Sequence, residues 1–162
     1  MNGEQIHVLL VEDNEAHAEL VLRSLREHRV ANRIFHVSDG AEALDYLHNR
    51  GAYADRQAHP RPHMVLLDLR LPKVSGLEVL EQIKSDAGLS TIPVVILTTS
   101  QAEVDVASAY RCRANSYLVK PMDYEKFIQL MEELGYFWLG WNQFPWPPGA
   151  HPGPSGRLPH QG

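Results

Sequence analysis

Residues 64–80 read MVLLDLRLPKVSGLEVL. Four apolar residues, Met64 to Leu67, deliver one carboxylate, Asp68. A loop with Pro72 and Gly76 then separates it from a run at helical period. A short apolar run with a breaker behind it is the pattern of a strand buried on both faces. In open α/β sheets the carboxyl ends of such strands are where ligands meet side chains. Asp68 is therefore either a site residue or simply a good loop starter.

The segments on either side repeat the alternation. Ile6 to Val11 is strand-like and ends in Glu12-Asp13-Asn14. Asp13 or Asn14 can cap a helix whose Ala18, Val21, Leu22 and Leu25 fall at i, i+3, i+4 and i+7. A second strand over 33–37 is followed by a turn at Ser38-Asp39-Gly40 and a short helix marked by Ala43, Leu44 and Leu47. Residues 48–63 form a long polar loop with Gly51, Pro60 and Pro62. After the central strand, Val79, Leu80 and Ile83 line a helix that Ala87-Gly88 ends. Val94 to Thr98 (VVILT) is the fourth strand, and a weakly patterned helix follows from about 102 to 110. Ser116 to Val119 is the fifth strand, ending in Lys120-Pro121. Phe127, Leu130, Met131 and Leu134 give the last helix a clean stripe. Five strand–helix units predict a parallel sheet with helices on both faces and right-handed crossovers.

Composition narrows the function classes. At 162 residues the chain suits one domain with a sizeable core and some surplus. A net charge of -5 argues against sequence-independent DNA binding, which needs clustered Lys and Arg. No run of about 18 apolar residues predicts a membrane span. The start, MNGEQIHVLLVED, lacks the basic region of a signal peptide. The single cysteine, Cys112, rules out an internal disulfide and fits a reducing cytoplasm.

A parallel sheet brings its strand ends to one edge, so Glu12, Asp13, Asp68, Thr98 and Lys120 converge there. Three carboxylates side by side repel, and protons or a divalent cation must relieve them. A hard oxygen cluster open to water suits Mg²⁺, which binds one or two carboxylates beside a phosphate. That is equipment for phosphoryl transfer to a carboxylate: Asp68 attacks in line, and Lys120 and Thr98 face the anion. Singly, each residue has a plain reading, as a helix cap or a surface lysine. Jointly, five at one edge favour the site.

VLLVEDN, VLLDLRLPKVSG, VVILTTS and SYLVKP occur in the order and spacing of the four signatures of response-regulator receiver domains, and residues 5–134 resemble that family. The resemblance implies a flavodoxin-like (βα)5 sheet in order 2-1-3-4-5. It implies Asp68 as phosphoacceptor, Glu12 and Asp13 as the acid pair for Mg²⁺, and the Arg70 backbone carbonyl as a further ligand. Thr98 and Lys120 would contact the phosphoryl group, and Thr98 and Tyr117 would act as the switch. Lys120-Pro121 would be a cis peptide bond, an isomer that costs little before proline. By the same resemblance, the positions of Arg70 and Ser100 would tune how water reaches the acyl phosphate. Two departures stand out. Ser75 replaces a common Asp, and Arg70 is bulkier than the usual Asn or Met.

The remaining features are weaker. His59 and His63 are four apart, but Pro60 and Pro62 forbid the helix that would align them on a metal. Cys112, between Arg111 and Arg113, reads as a helix-end thiol. Residues 135–148 form an aromatic arm with Phe137, Trp138, Trp141, Phe144 and Trp146, and 149–162 is a Pro/Gly-rich tail expected to be disordered. Uncovered, those rings exceed the apolar patch a monomer tolerates. They either fold back on their own domain or pack on a second copy. FW after the last helix, the long loop and LTTS are similar to the stand-alone receivers paired with bacterial phytochrome kinases. That likeness implies a homodimer through the face of the fourth helix, fifth strand and fifth helix, with the arm.

The expected function is a cytoplasmic single-domain response regulator, not an enzyme beyond its own phosphorylation and dephosphorylation. It takes phosphate from a sensor histidine kinase of phytochrome type. No output domain is expected after residue 134, so output is protein contact or relay to a histidine phosphotransfer protein. Neither nucleic acid nor membrane is an expected partner. The alternatives are a docking module with an unused pocket and an aspartyl-phosphate phosphatase, although Arg70 stands where that phosphatase motif needs a second acid.

Overall fold

The computed structural model describes residues 5–28 and 32–145. Five strands, β1 (Ile6–Val11), β2 (Asn32–Val37), β3 (Met64–Leu67), β4 (Val94–Thr98) and β5 (Ser116–Val119), alternate with five helices. The helices are α1 (Glu15–Arg26), α2 (Gly40–Leu47), α3 (Gly76–Ser85), α4 (Glu103–Arg111) and α5 (Tyr124–Leu134). All strands pair in parallel in the order β2-β1-β3-β4-β5. This is the flavodoxin-like arrangement expected from the sequence.

Side-chain alternation along the strands divides the core into two layers. Leu9, Val11, Val65, Leu67, Val94 and Ile96 pack with α2, α3 and Ala109 of α4. Val8, Leu10, Met64, Leu66, Val95 and Leu97 face α1 and α5, meeting Val21, Leu25, Phe127 and Met131. Every residue of β3 is buried, as a central parallel strand requires.

Helix starts are fixed by side-chain caps. Asn14, Asp39, Ser75 and Asp123 each accept a backbone N–H three residues on, at 3.1, 2.8, 3.3 and 3.0 Å. Because Asn14 caps α1, Asp13 is left for the sheet edge. Helix α4 has no side-chain cap and one buried residue, Ala109, consistent with its weak apolar stripe.

Three boundaries and one peptide bond differ from the sequence reading. Strand β2 begins one residue earlier, at Asn32. Helix α3 stops at Ser85, because Asp86 Oδ1 accepts the N–H groups of Gly88 and Leu89 at 2.7 and 3.1 Å and turns the chain. The Lys120–Pro121 bond is not cis: no cis peptide occurs among the described residues. Trans is the lower-energy form even before proline. The helical path also does not end at Leu134. It runs on as a wider π-helical segment, Gly135–Trp141, whose Trp138 and Leu139 are buried against the α1–α5 layer.

The long loop before β3 is tied down rather than loose. Tyr46 donates its hydroxyl to the Pro60 carbonyl at 2.9 Å, and Asn49 Nδ2 donates to the Tyr53 and His59 carbonyls at 3.0 and 3.1 Å. No helix among the described residues is long and apolar enough to cross a membrane.

Candidate functional site

Strand register carries the site residues to one edge. Val11 lies opposite Leu67 and Thr98 opposite Val119, so the residues just beyond, Glu12, Asp68 and Lys120, sit side by side at the rim. Backbone bonds continue the ladder there: Asp68 N–H donates to Val11 O at 3.1 Å and Lys120 N–H to Thr98 O at 2.7 Å. Gly76 holds the base of the site. A Cβ on it would fall 2.1 Å from the Asp68 carbonyl oxygen, so only glycine lets α3 start this close behind the acceptor strand.

The Asp68 carboxylate is fully engaged. Its Oδ1 accepts from the Thr98 hydroxyl at 2.8 Å and from the Arg70 backbone N–H at 3.2 Å. Its Oδ2 accepts from Lys120 Nζ at 2.9 Å. Lys120 also donates to Glu12 Oε2 at 2.5 Å and to His17 Nδ1 at 3.1 Å. Glu12, Asp68, Thr98 and Lys120 are all buried, whereas Asp13 faces solvent. Burial pushes the Glu12 carboxyl up to about 7, outweighing the pull of the Lys120 ammonium. One carboxylate oxygen from each of Glu12, Asp13 and Asp68 lies within 4.8 Å of the others.

The residues read as switch and access positions also gather. Tyr117 donates its hydroxyl to the Ser100 carbonyl at 2.9 Å, and Ser100 Oγ donates to Asp105 Oδ2 of α4 at 2.5 Å. Burial raises the Tyr117 phenol above its ordinary pKa, keeping it a donor. The Arg70 side chain is exposed. His17 and Asp105 are the additions that strand-end reasoning does not reach. The signal for His17 is the Asn14 cap, which places residue 17 in the first turn beside the pocket.

Of the arm residues, Trp138 is buried, at 8% exposure, and Phe144 packs on the same layer, its ring edge-on to His63 at 5.6 Å. Phe137 and Trp141 project outward, at 54% and 80% exposure. Trp146 and the tail lie outside the described residues.

The model of the response regulator receiver domain matches residues 8–132. The probable methanogenesis regulatory protein FilR2 of Methanothrix harundinacea (strain 6Ac) is 49% identical over 142 residues, covering 86% of this chain and 88% of that protein. Among solved structures, the phosphorylated cyanobacterial phytochrome response regulator RcpA superposes with a TM-score of 0.83 at 39% identity, over 87% of this chain and 99% of its own. The Mn²⁺-bound form of response regulator Rcp1 gives a TM-score of 0.81 at 37% identity, over 86% and 98%. The chain belongs to the response-regulator receiver family. It is homologous to phytochrome-associated response regulators.

The donor set fits the divalent cation that receivers bind at an acidic pocket. Three carboxylates supply hard oxygen ligands, Asp13 from the solvent side. Burial raises the pKa of the Glu12 carboxyl, and a cation beside it would favour its ionised form.

Proposed function

We propose that this receiver accepts a phosphoryl group on Asp68 from a sensor histidine kinase. The observation that carries the reading is the convergence of Lys120 Nζ and Thr98 Oγ1 on opposite oxygens of one aspartate, at 2.9 and 2.8 Å. Both donors already stand where the charge of an acyl phosphate would develop. In the transfer, an Asp68 oxygen forms a bond to phosphorus as the phosphorus–nitrogen bond of the donor phosphohistidine breaks. The imidazole leaves with the electron pair and takes a proton. Lys120 and Thr98 then release the carboxylate and donate to phosphoryl oxygens. Glu12, Asp13, Asp68 and the Arg70 backbone carbonyl would hold Mg²⁺, which neutralises charge on the transferring group.

Relay of the signal runs through the neighbouring loop in this reading. Thr98 follows the phosphoryl group, and the Tyr117–Ser100 bond couples that movement to α4, whose uncapped start and single buried residue leave it easy to shift. The output face is α4, β5 and α5. Phe137 and Trp141, which their own domain leaves uncovered, supply apolar contact for a homodimer. The protein acts in the cytoplasm, and a histidine phosphotransfer protein is a possible onward acceptor.

A phytochrome-type kinase is the proposed donor, because the RcpA structure, with its TM-score of 0.83, is that of a phytochrome response regulator. The higher identity to FilR2, a probable methanogenesis regulator, favours a second reading in which a kinase of another stimulus serves. Short incubation with autophosphorylated kinases of both kinds decides. Rapid label transfer from the phytochrome-type kinase supports the first; transfer from the other kind alone supports the second.

A further inference from the structure

Lys120 carries three ammonium protons and meets three acceptors: Glu12 Oε2 at 2.5 Å, Asp68 Oδ2 at 2.9 Å and His17 Nδ1 at 3.1 Å. The first two are pocket carboxylates. The third comes from a different element, the first turn of α1, and is an imidazole. An ammonium can only donate, so Nδ1 must be unprotonated and the ring proton must sit on Nε2. Burial and the Lys120 charge, against the smaller opposing pull of Asp68 and Asp13, keep the imidazole below its ordinary pKa and hence neutral near pH 7.

The ring is itself held in place. The His17 backbone N–H donates to the Asn14 cap at 3.1 Å, and the imidazole packs on Phe127 of α5 with centroids 5.8 Å apart. A neutral acceptor in this place has a consequence a carboxylate would not. It restrains the lysine without adding negative charge that repels an incoming phosphoryl group. When phosphorylation takes Asp68 Oδ2 from Lys120, the bonds to Glu12 and His17 remain, and two anchors from different elements fix where the third N–H points.

We propose that His17 is a positioning residue for Lys120: its unprotonated Nδ1 accepts a hydrogen bond from one ammonium N–H, which aims another N–H at the group on Asp68. The proposal rests on the phosphoacceptor reading above, and its test separates the two. His17→Leu keeps an apolar side chain against Phe127 but removes the acceptor. His17→Asn puts a carbonyl oxygen close to the place of Nδ1. With radiolabelled acetyl phosphate and saturating Mg²⁺, the rate constant for labelling falls about three- to tenfold in His17→Leu, the size expected for weakening one charge-assisted bond. It returns to within about twofold in His17→Asn. Equal rates in wild type and His17→Leu, or equal losses in both variants, overturn the proposal and leave the phosphoacceptor reading standing. If wild type takes no label, that reading fails, and the ring itself still decides the assignment of His17. Two-bond ¹H–¹⁵N spectra of the full chain then show His17 with an unprotonated Nδ1 and the proton on Nε2. A proton on Nδ1 overturns the proposal whatever the kinetics.

Discussion

The Gly76 Cα stands so close behind Asp68 that a methyl group on it would meet the Asp68 carbonyl oxygen at 2.1 Å and the Leu69 Cα at 2.6 Å. Both neighbours are backbone, so neither can rotate away. Gly76→Ala must push the start of α3 off the acceptor strand, an overpacking that costs roughly 1–3 kcal/mol. The expected result is a lower urea midpoint together with weaker Mg²⁺ binding, because Asp68 moves with its carbonyl. Unchanged Mg²⁺ affinity would mean that the strand end absorbs the displacement.

Trp138 and Trp141 lie three residues apart in the π-helical segment, on different faces, and do opposite things. Trp138 fills the layer between α1 and α5, while Trp141 is 80% exposed. Trp138→Ala is expected to cost roughly 3–5 kcal/mol of unfolding free energy. Trp141→Ala should stay within about 0.5 kcal/mol of wild type in the monomer. Light scattering on the same proteins tests the arm: Trp141→Ala lowers the fraction of dimer, and an unchanged mass counts against an arm-mediated contact.

Lys84 makes a pH prediction. It is buried with no carboxylate partner among the described residues, and donates to the Ser90 and Ile92 carbonyls and to Asn115 Oδ1 at 3.1, 2.8 and 3.1 Å. Burial, with a smaller push from Arg113, lowers it from 10.5 to about 8. Below pH 8 it is charged in both states and the fold bears the full cost. Between about 8 and 10 the unfolded chain holds the extra proton, so stability rises with pH, at most by about 3 kcal/mol at roughly 1.4 kcal/mol per pKa unit. Above pH 10 the phenols of buried Tyr46 and half-buried Tyr53, whose ionisation is pushed upward, pull the other way. Urea midpoints measured from pH 7 to 10 should climb in wild type and stay flatter in Lys84→Met.

Arg70 reaches into solvent two residues past the acceptor. From that position it is expected to slow water's approach to the acyl phosphate. Arg70→Ala should lose phosphate faster, read as decay of label after the donor is removed. Decay at the wild-type rate would leave Arg70 without that role.

Much of this was legible because strand and helix periods differ and because the strand ends carry chemistry. Met64–Leu67 reads as a buried strand from four apolar residues alone, and parallel pairing then brings Glu12, Asp68, Thr98 and Lys120 together. Other features depend on geometry that spacing does not encode. His17 reaches Lys120 across 103 residues of sequence. Asp86 stops α3 by turning its side chain onto two amides, which a hydrophobic stripe does not register. The composition changes after Gly135, yet Gly135 keeps right-handed helical angles and lets the path continue into Trp138 and Leu139. The divided arm follows from that continuation. A helical segment buries one side, so rings that look equivalent in sequence part company.

The central claim is that Asp68 itself carries the phosphoryl group. Intact-mass spectrometry of the full chain after incubation with acetyl phosphate and Mg²⁺ tests it most directly, with Asp68→Asn alongside. One added phosphoryl group on the wild type and none on Asp68→Asn is the predicted result. Equal modification of both proteins, or none on either, would contradict it.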